Sequence, residues 1–256
     1  MPDMLADNAF LRRLPTILNG TQTVQLEALV FSADAIDVSF ERICSLAIAH
    51  RENICSASRR VHVEMLMHAW TIVDCLHVVR QVLKVLDYRT PKAVAFAQAY
   101  EAATLLRNRM DHLTSNAGNV AKAKGRPPVY GALGYVCIPE AKLLIDGGQV
   151  SVTGGGIVSL SAGQFAGGGQ VVLINPVGHE LSVPVGGFRL DAFGCSLELA
   201  SAHRDFRALL AEIDERLAEQ CTARARALST ERGIPMEELM ANPPGGLAIY
   251  AAFDLQ

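Results

Sequence analysis

Apolar residues recur at every third or fourth position along four stretches of the chain, and that period predicts amphipathic helices. Leu26, Leu29, Ala33, Ile36, Phe40, Ile43 and Ala47 form the first stripe. Met65, Ala69, Ile72, Leu76, Val79, Leu83 and Leu86 form the second, after a polar turn from Arg51 to Arg60. A third helix is predicted to open at Thr90-Pro91, where a hydroxyl caps the helix and the proline lacks only an N–H that has no helical partner there. Its stripe is Phe96, Ala99, Ala103, Leu106, Met110 and Leu113, and Ser115-Asn116-Ala117-Gly118 is predicted to end it. The fourth helix is expected from about 202 to 228, with Phe206, Leu210, Ile213, Leu217 and Cys221 on its apolar side. One-sided stripes of this kind cover one another most simply in a helical bundle.

Between the third and fourth helices the pattern changes. Ala121 to Pro128 reads as a basic, proline-terminated connector, and short β-rich runs separated by glycines follow. Val150-Ser151-Val152, Ile157 to Leu160, Val171 to Ile174, Leu181-Ser182-Val183 and Phe188-Arg189-Leu190 predict several antiparallel strands. The expected class is therefore α+β, a mainly helical bundle with a small antiparallel β subdomain inserted before its last long helix. Residues 1–127 would form the first part of the bundle, 128–199 the β-rich subdomain, 200–230 the final bundle helix and 231–256 a C-terminal tail. Within that tail Met240 to Gly246 reads as a turn without helical period.

Composition narrows the classes. With 256 residues, 50% of them hydrophobic and 19% charged, the chain suits one large or two small globular domains. A net charge of −3 excludes a protein that coats nucleic acid through bulk positive charge, so a polyanion would bind only locally. The stretch from Gly147 to His179 carries no formal charge, but its ten glycines exclude a membrane-spanning helix. No signal-peptide run follows the N-terminus, and the expected location is cytoplasmic. Six cysteines without a CxxC pair read as buried, reduced thiols rather than as zinc ligands or a disulfide framework. No metal and no cofactor is expected.

Candidate chemistry concentrates in Arg107-Asn108-Arg109-Met110-Asp111-His112. With Leu106 and Met110 facing the core, a turn of about 100° per residue puts Arg107, Asn108, Asp111 and His112 on the opposite arc. An imidazole titrates near neutrality and exchanges protons, and a guanidinium holds phosphate oxygens through paired N–H groups. A carboxylate at Asp111 would repel phosphate or tie up Arg109. Between residues 107 and 126, Arg107, Arg109, Lys122, Lys124 and Arg126 stand against Asp111, a local net of 5 − 1 = +4.

The Arg-Asn-x-x-x-His pattern, late in a helix behind two long amphipathic helices, resembles the signature of HEPN domains. The resemblance covers roughly residues 24 to 118, with the helix from Ala202 as the last member of the bundle. Trp70 to Asp74 and Pro128 to Gly131 further resemble segments of bacterial proteins of unassigned activity. In HEPN ribonucleases two copies bring their motifs together across one cleft and cleave RNA without a metal. The resemblance implies that Arg107 stabilises the phosphate, that His112 is the acid or base, and that Asn108 orients one of them. RNA and a second copy of the chain are then the expected partners, with an antitoxin or another protein as a further one. The alternative is a non-catalytic dimeric protein that binds a partner or ligand through the same fold.

The remaining candidates are weaker. Trp70, Asp74 and His77 share one helix face and would support the Arg107 patch if that face points inward. His62 and His68 lack an HExxH arrangement, and His50 and His203 suggest no partners. Glycines 154–156 and 167–169 fit hairpin turns rather than a phosphate loop, and Ser161-Ala162-Gly163 is not a nucleophile elbow.

Overall fold

The computed structural model describes residues 3–122, 130–138, 143–146, 149–152, 155–161, 181–182 and 185–242. It is an α+β fold. The first two helices run where their stripes predict, α1 over Gly20–Ala49 and α2 over Arg59–Val85. Asn19 and Gln22 start α1 by reciprocal side-chain to backbone hydrogen bonds, which satisfy donors the first turn leaves open. α3 spans Pro91–Ala99, and the Thr90 hydroxyl accepts the Ala93 N–H at 3.2 Å as the sequence leads one to expect.

The third predicted helix is, however, three segments. α3 gives way at Tyr100 to α4, Glu101–Asp111, and α4 gives way at His112 to α5, Leu113–Lys122. Tyr100 turns inward to bury its ring against Phe96 and to donate its hydroxyl to Asp205 Oδ2 at 2.6 Å. The helix also runs on through Ser115 to Gly118, where the sequence pattern places its end. A glycine within a helix costs only about 1 kcal/mol relative to alanine, too little to stop it.

Two sheets are described. β1 (Ala132–Cys137), β4 (Gly156–Ser161), β5 (Leu181–Ser182), β6 (Val185–Ala192) and β7 (Cys195–Glu198) form one antiparallel sheet in the order β4-β1-β6-β5, with β7 also on β6. β2 (Leu143–Asp146) and β3 (Gln149–Val152) pair separately, Leu143 opposite Val152. The expected strand over Val171–Ile174, the glycines at 167–169, the connector from 123 and the turn from Pro243 lie outside the described residues. β1, β2 and β7 have no counterpart among the predicted strands. β1 is buried at every position, so it lacks the in-out alternation that marks a half-exposed strand.

The sheet and the helices share one core. Leu133, Tyr135 and Phe188 from the sheet join Leu29, Ile36, Leu76, Leu106 and Phe206 from the helices. α6 (Leu199–Arg232) closes the arrangement and stops at Gly233, whose left-handed backbone suits a residue without a side chain. α7 (Met236–Leu239) is a single further turn in the segment read as a tail. Among the described residues no helix is long and apolar enough to cross a membrane. Cys44, Cys75, Cys137, Cys195 and Cys221 are free, and burial pushes the Cys44 thiol up to about 12 and that of Cys75 to about 11. Thiols held protonated in this way are poor nucleophiles.

Gly131 fixes how the chain enters β1. Its φ is +84°, and a Cβ there would stand 2.6 Å from the Asp191 carbonyl oxygen and 2.8 Å from the Ala192 Cβ. Gly131→Ala is expected to cost about 1–3 kcal/mol, from strain and overpacking together, and urea unfolding measures it.

One buried and two half-buried histidines set an acid limit on the fold. Burial lowers the pKa of His203, His68 and His77 below the ordinary 6.5, in each case as the largest influence. Each therefore binds its proton more weakly in the folded chain than in the unfolded one. Acidification favours the unfolded state, so the stability is full above about pH 6.5 and declines as the pH falls below it. A lower melting temperature at pH 5.5 than at pH 7.5 is expected; equal values would contradict it.

Candidate functional site

The motif occupies the last turns of α4. Leu106 is fully buried and Met110 half-buried, as their stripe requires. Asn108, Asp111 and His112 are exposed, but Arg107 is half-buried on the flank that meets α2. The predicted face is therefore divided between solvent and the α2–α4 seam.

Two carboxylates hold Arg107. Its Nη1 lies 2.7 Å from Asp74 Oδ1 on α2, and its Nε donates to Asp111 Oδ2 at 2.9 Å. Asp74 first and Asp111 second raise the Arg107 pKa above that of an ordinary arginine, so the cation is permanent. Asp111 thus ties up Arg107 rather than Arg109, because four residues along a helix bring two side chains together. Arg109 instead donates through Nη1 to the Phe193 carbonyl, with Cys195 Sγ at 3.5 Å, and joins α4 to the turn between β6 and β7. Asp74 adds to this neighbourhood a carboxylate from outside the span 107–126. Arg107 with Asp74 and Asp111 makes 1 − 2 = −1, and Lys124 and Arg126 lie outside the described residues.

His112 sits where α4 stops. Its backbone N–H donates to the Asn108 carbonyl at 3.2 Å, and its ring stands in solvent. The i,i+4 spacing of Asn108 and His112 is therefore realised in the backbone.

The second-helix residues do reach the site. Asp74 supplies the ion pair just described. His77 Nδ1 lies 3.2 Å from Thr104 Oγ1, which also accepts from Arg80 Nη1, while Arg80 Nε donates to the Ala97 carbonyl at 2.9 Å. Burial is the main cause of the lowered His77 pKa, with Arg107 and Arg80 adding to it, so His77 is neutral at pH 7. Trp70 Nε1 donates to the Tyr130 carbonyl at 3.0 Å, and its ring meets Phe193 edge-on at 6.4 Å. Arg80 and Thr104 were absent from the sequence candidates. The signal was present in their spacing, since Arg80 follows His77 by three and Thr104 precedes Arg107 by three.

Three other histidines have structural partners. His62 Nε2 meets the Ile54 carbonyl at 2.8 Å and His68 Nδ1 meets Ser39 Oγ at 3.3 Å. His203, for which the sequence suggested nothing, lies 2.7 Å from Asp37 Oδ1 and stacks on Phe40 at 4.6 Å. Among the described residues no three of His, Cys, Asp or Glu are grouped to hold a metal ion.

No family model, curated protein or solved structure matches this chain. An oriented, permanent cation and an exposed imidazole share the end of one helix, beside a seam of polar side chains between α2 and α4.

Proposed function

We propose that the chain is a HEPN-like protein that cleaves RNA as a dimer. His112 is the acid or base, Arg107 stabilises charge on the phosphate, and Asn108 orients one of them. The carrying observation is that an exposed imidazole shares the last turns of α4 with a guanidinium that Asp74 and Asp111 hold in one direction. Those carboxylates engage Nη1 and Nε; among the described residues Nη2 has no hydrogen-bond partner. That end of the fork is the one a phosphate oxygen would meet.

The reaction follows from these groups. A neutral imidazole takes the ribose 2′-hydroxyl proton as the 2′-oxygen bonds to phosphorus, and the bond to the 5′-oxygen breaks. The leaving oxygen receives a proton from the imidazolium of the second copy, and a 2′,3′-cyclic phosphate and a 5′-hydroxyl result. The guanidinium faces the charge that gathers on phosphorus. Incubation of the purified chain with mixed RNA in the presence of a chelator tests the reading, with cyclic-phosphate ends as the product. Cleavage that disappears in His112→Ala supports it; equal cleavage by both proteins, or by neither, overturns it.

The same two carboxylates favour a second reading. They compensate Arg107 from within the chain, as in a seam that only joins α2 to α4, and the protein is then a non-catalytic dimeric interaction or ligand-binding protein. Absence of cleavage together with an unchanged fold is its expected result.

A further inference from the structure

An apolar pocket of about 130 Å³ lies between the start of α1, the end of α2 and the middle of α6. Leu26, Leu83 and Ile213 are buried at its floor, and the half-buried Leu18, Leu86 and Leu217 form its walls. Gln22, Arg216 and Gln220 stand exposed at its mouth. An apolar cavity of roughly 150 Å³ takes one benzene molecule, so this pocket has room for a single aromatic ring. The motif on α4 contributes no residue to it.

The last described residues lie beside this pocket. The Thr16 N–H donates to the Ala241 carbonyl at 3.1 Å, and the Thr16 hydroxyl donates to the Glu238 carbonyl at 3.1 Å. Leu18, one wall of the pocket, is two residues from Thr16, a step of at most about 7 Å. Residues 243–256 lie outside the described residues, and their sequence opens with Pro243-Pro244-Gly245-Gly246 before an uncharged apolar run from Leu247 to Phe253 and then Asp254. The chain from Asn242 to Leu247 spans up to about 17 Å, so the apolar run reaches the pocket with length to spare.

Charge also matches the two. Lys92 lies 3.5 Å and Arg216 3.7 Å from Glu212, so these three groups beside the mouth sum to 2 − 1 = +1. Glu212 is occupied further by the Tyr88 hydroxyl, which donates to it at 3.1 Å. Glu215 and Glu219 stand about 110–150° around α6 from the direction of its lining residues and face elsewhere. A carboxylate that follows an aromatic ring, as Asp254 follows Phe253, suits a mouth with one cation in surplus. Tethering adds to the fit, because a short flexible linker holds a segment at an effective concentration of about millimolar, and a contact too weak for a free peptide is then filled.

We propose that this pocket is the docking site of the chain's own residues 247–254, with the Phe253 ring seated among Leu26, Leu83 and Leu217 and the Asp254 carboxylate set against Arg216. The contact covers the Leu18, Leu86 and Leu217 side chains, which are otherwise half in water. It stands on the pocket and on the Thr16–Ala241 bond, and does not require the RNA reading.

Fluorine NMR on the full chain, with 4-fluorophenylalanine in place of Phe253 and without RNA, tests the proposal. The resonance is expected to be shielded from a dissolved gadolinium chelate in the folded chain and open to it in urea. Leu217→Asp puts a carboxylate in the wall and is expected to weaken docking at least about 10-fold, the scale of burying one aromatic ring, and so to expose the fluorine. Arg216→Glu is the second probe. It lies at an exposed position, turns the charge of the mouth against Asp254 and leaves the core untouched. Loss of shielding in either variant, while its melting curve stays cooperative, supports the contact. A fluorine open to the chelate in the otherwise unchanged chain overturns it, whether the pocket is then empty or takes a separate ligand. Shielding that persists in every variant that folds seats the ring elsewhere and overturns it too. Shielding that grows from micromolar to tens of micromolar protein assigns the tail to a second copy, against the proposal. Since no RNA is present, these outcomes are distinct from failure of the cleavage reading.

Discussion

Replacing His112 with alanine is expected to slow RNA cleavage by about 100- to 10,000-fold, the usual contribution of a positioned acid or base. The effect should fall on kcat, because the imidazole moves protons in the transition state and adds little to ground-state binding. Stability should change little, since the His112 ring is exposed and only its backbone N–H is bonded, to the Asn108 carbonyl at 3.2 Å. A loss of cleavage accompanied by an equal loss of folded protein would therefore contradict the assigned role. Arg107→Ala is the companion measurement. It also breaks the ion pair to Asp74, so part of its effect belongs to the α2–α4 seam and not to phosphate.

The second large effect concerns the fold. Asp37→Ala is expected to destabilise the protein by about 2–6 kcal/mol, as leaving two buried donors without their shared acceptor does. Asp37 is only 8% exposed, and its two oxygens serve separate parts of the chain. Oδ2 accepts the Met4 N–H at 2.8 Å, while Oδ1 meets His203 Nε2 at 2.7 Å and Arg207 Nη2 at 3.6 Å. Burial outweighs Asp37 and lowers the His203 pKa, so at neutral pH the neutral ring donates a hydrogen bond to the carboxylate. Without Asp37 the Met4 N–H and the His203 ring lose their acceptor in a place closed to water. Guanidinium unfolding of the full chain measures the loss, and a change below about 1 kcal/mol, the scale of an exposed pair, would refute the account.

Much of this fold was legible because burial on one side of a helix leaves a period in the sequence. Leu26 through Ala47 and Met65 through Leu83 show it, and α1 and α2 lie there. The Thr90-Pro91 start was legible because capping chemistry is local. The break at Tyr100 was not. Its cause is a hydroxyl bonded to Asp205, 105 residues away, and no local pattern encodes such a contact. β1 escaped for the opposite reason, since a strand covered on both faces shows neither alternation nor charge. At the candidate site, helical spacing brought Asp74 toward the motif, but only the packing of α2 on α4 determines that Arg107 turns to it.

α6 takes part in several long-range bonds, among them Leu11 N–H to Asp214 Oδ1 at 2.7 Å, Asp37 with His203, and Tyr100 with Asp205. A growing chain meets this requirement late. When the ribosome has made α4, the inner stripes of α1 and α2 still lack the helix that completes their cover, and about 90 residues separate the end of α4 from the start of α6. At roughly 5–20 residues per second, that interval lasts on the order of 5–20 seconds. During synthesis the inner stripes of the first half thus stay incompletely covered for that interval, and its maturation waits on the arrival of a single late helix.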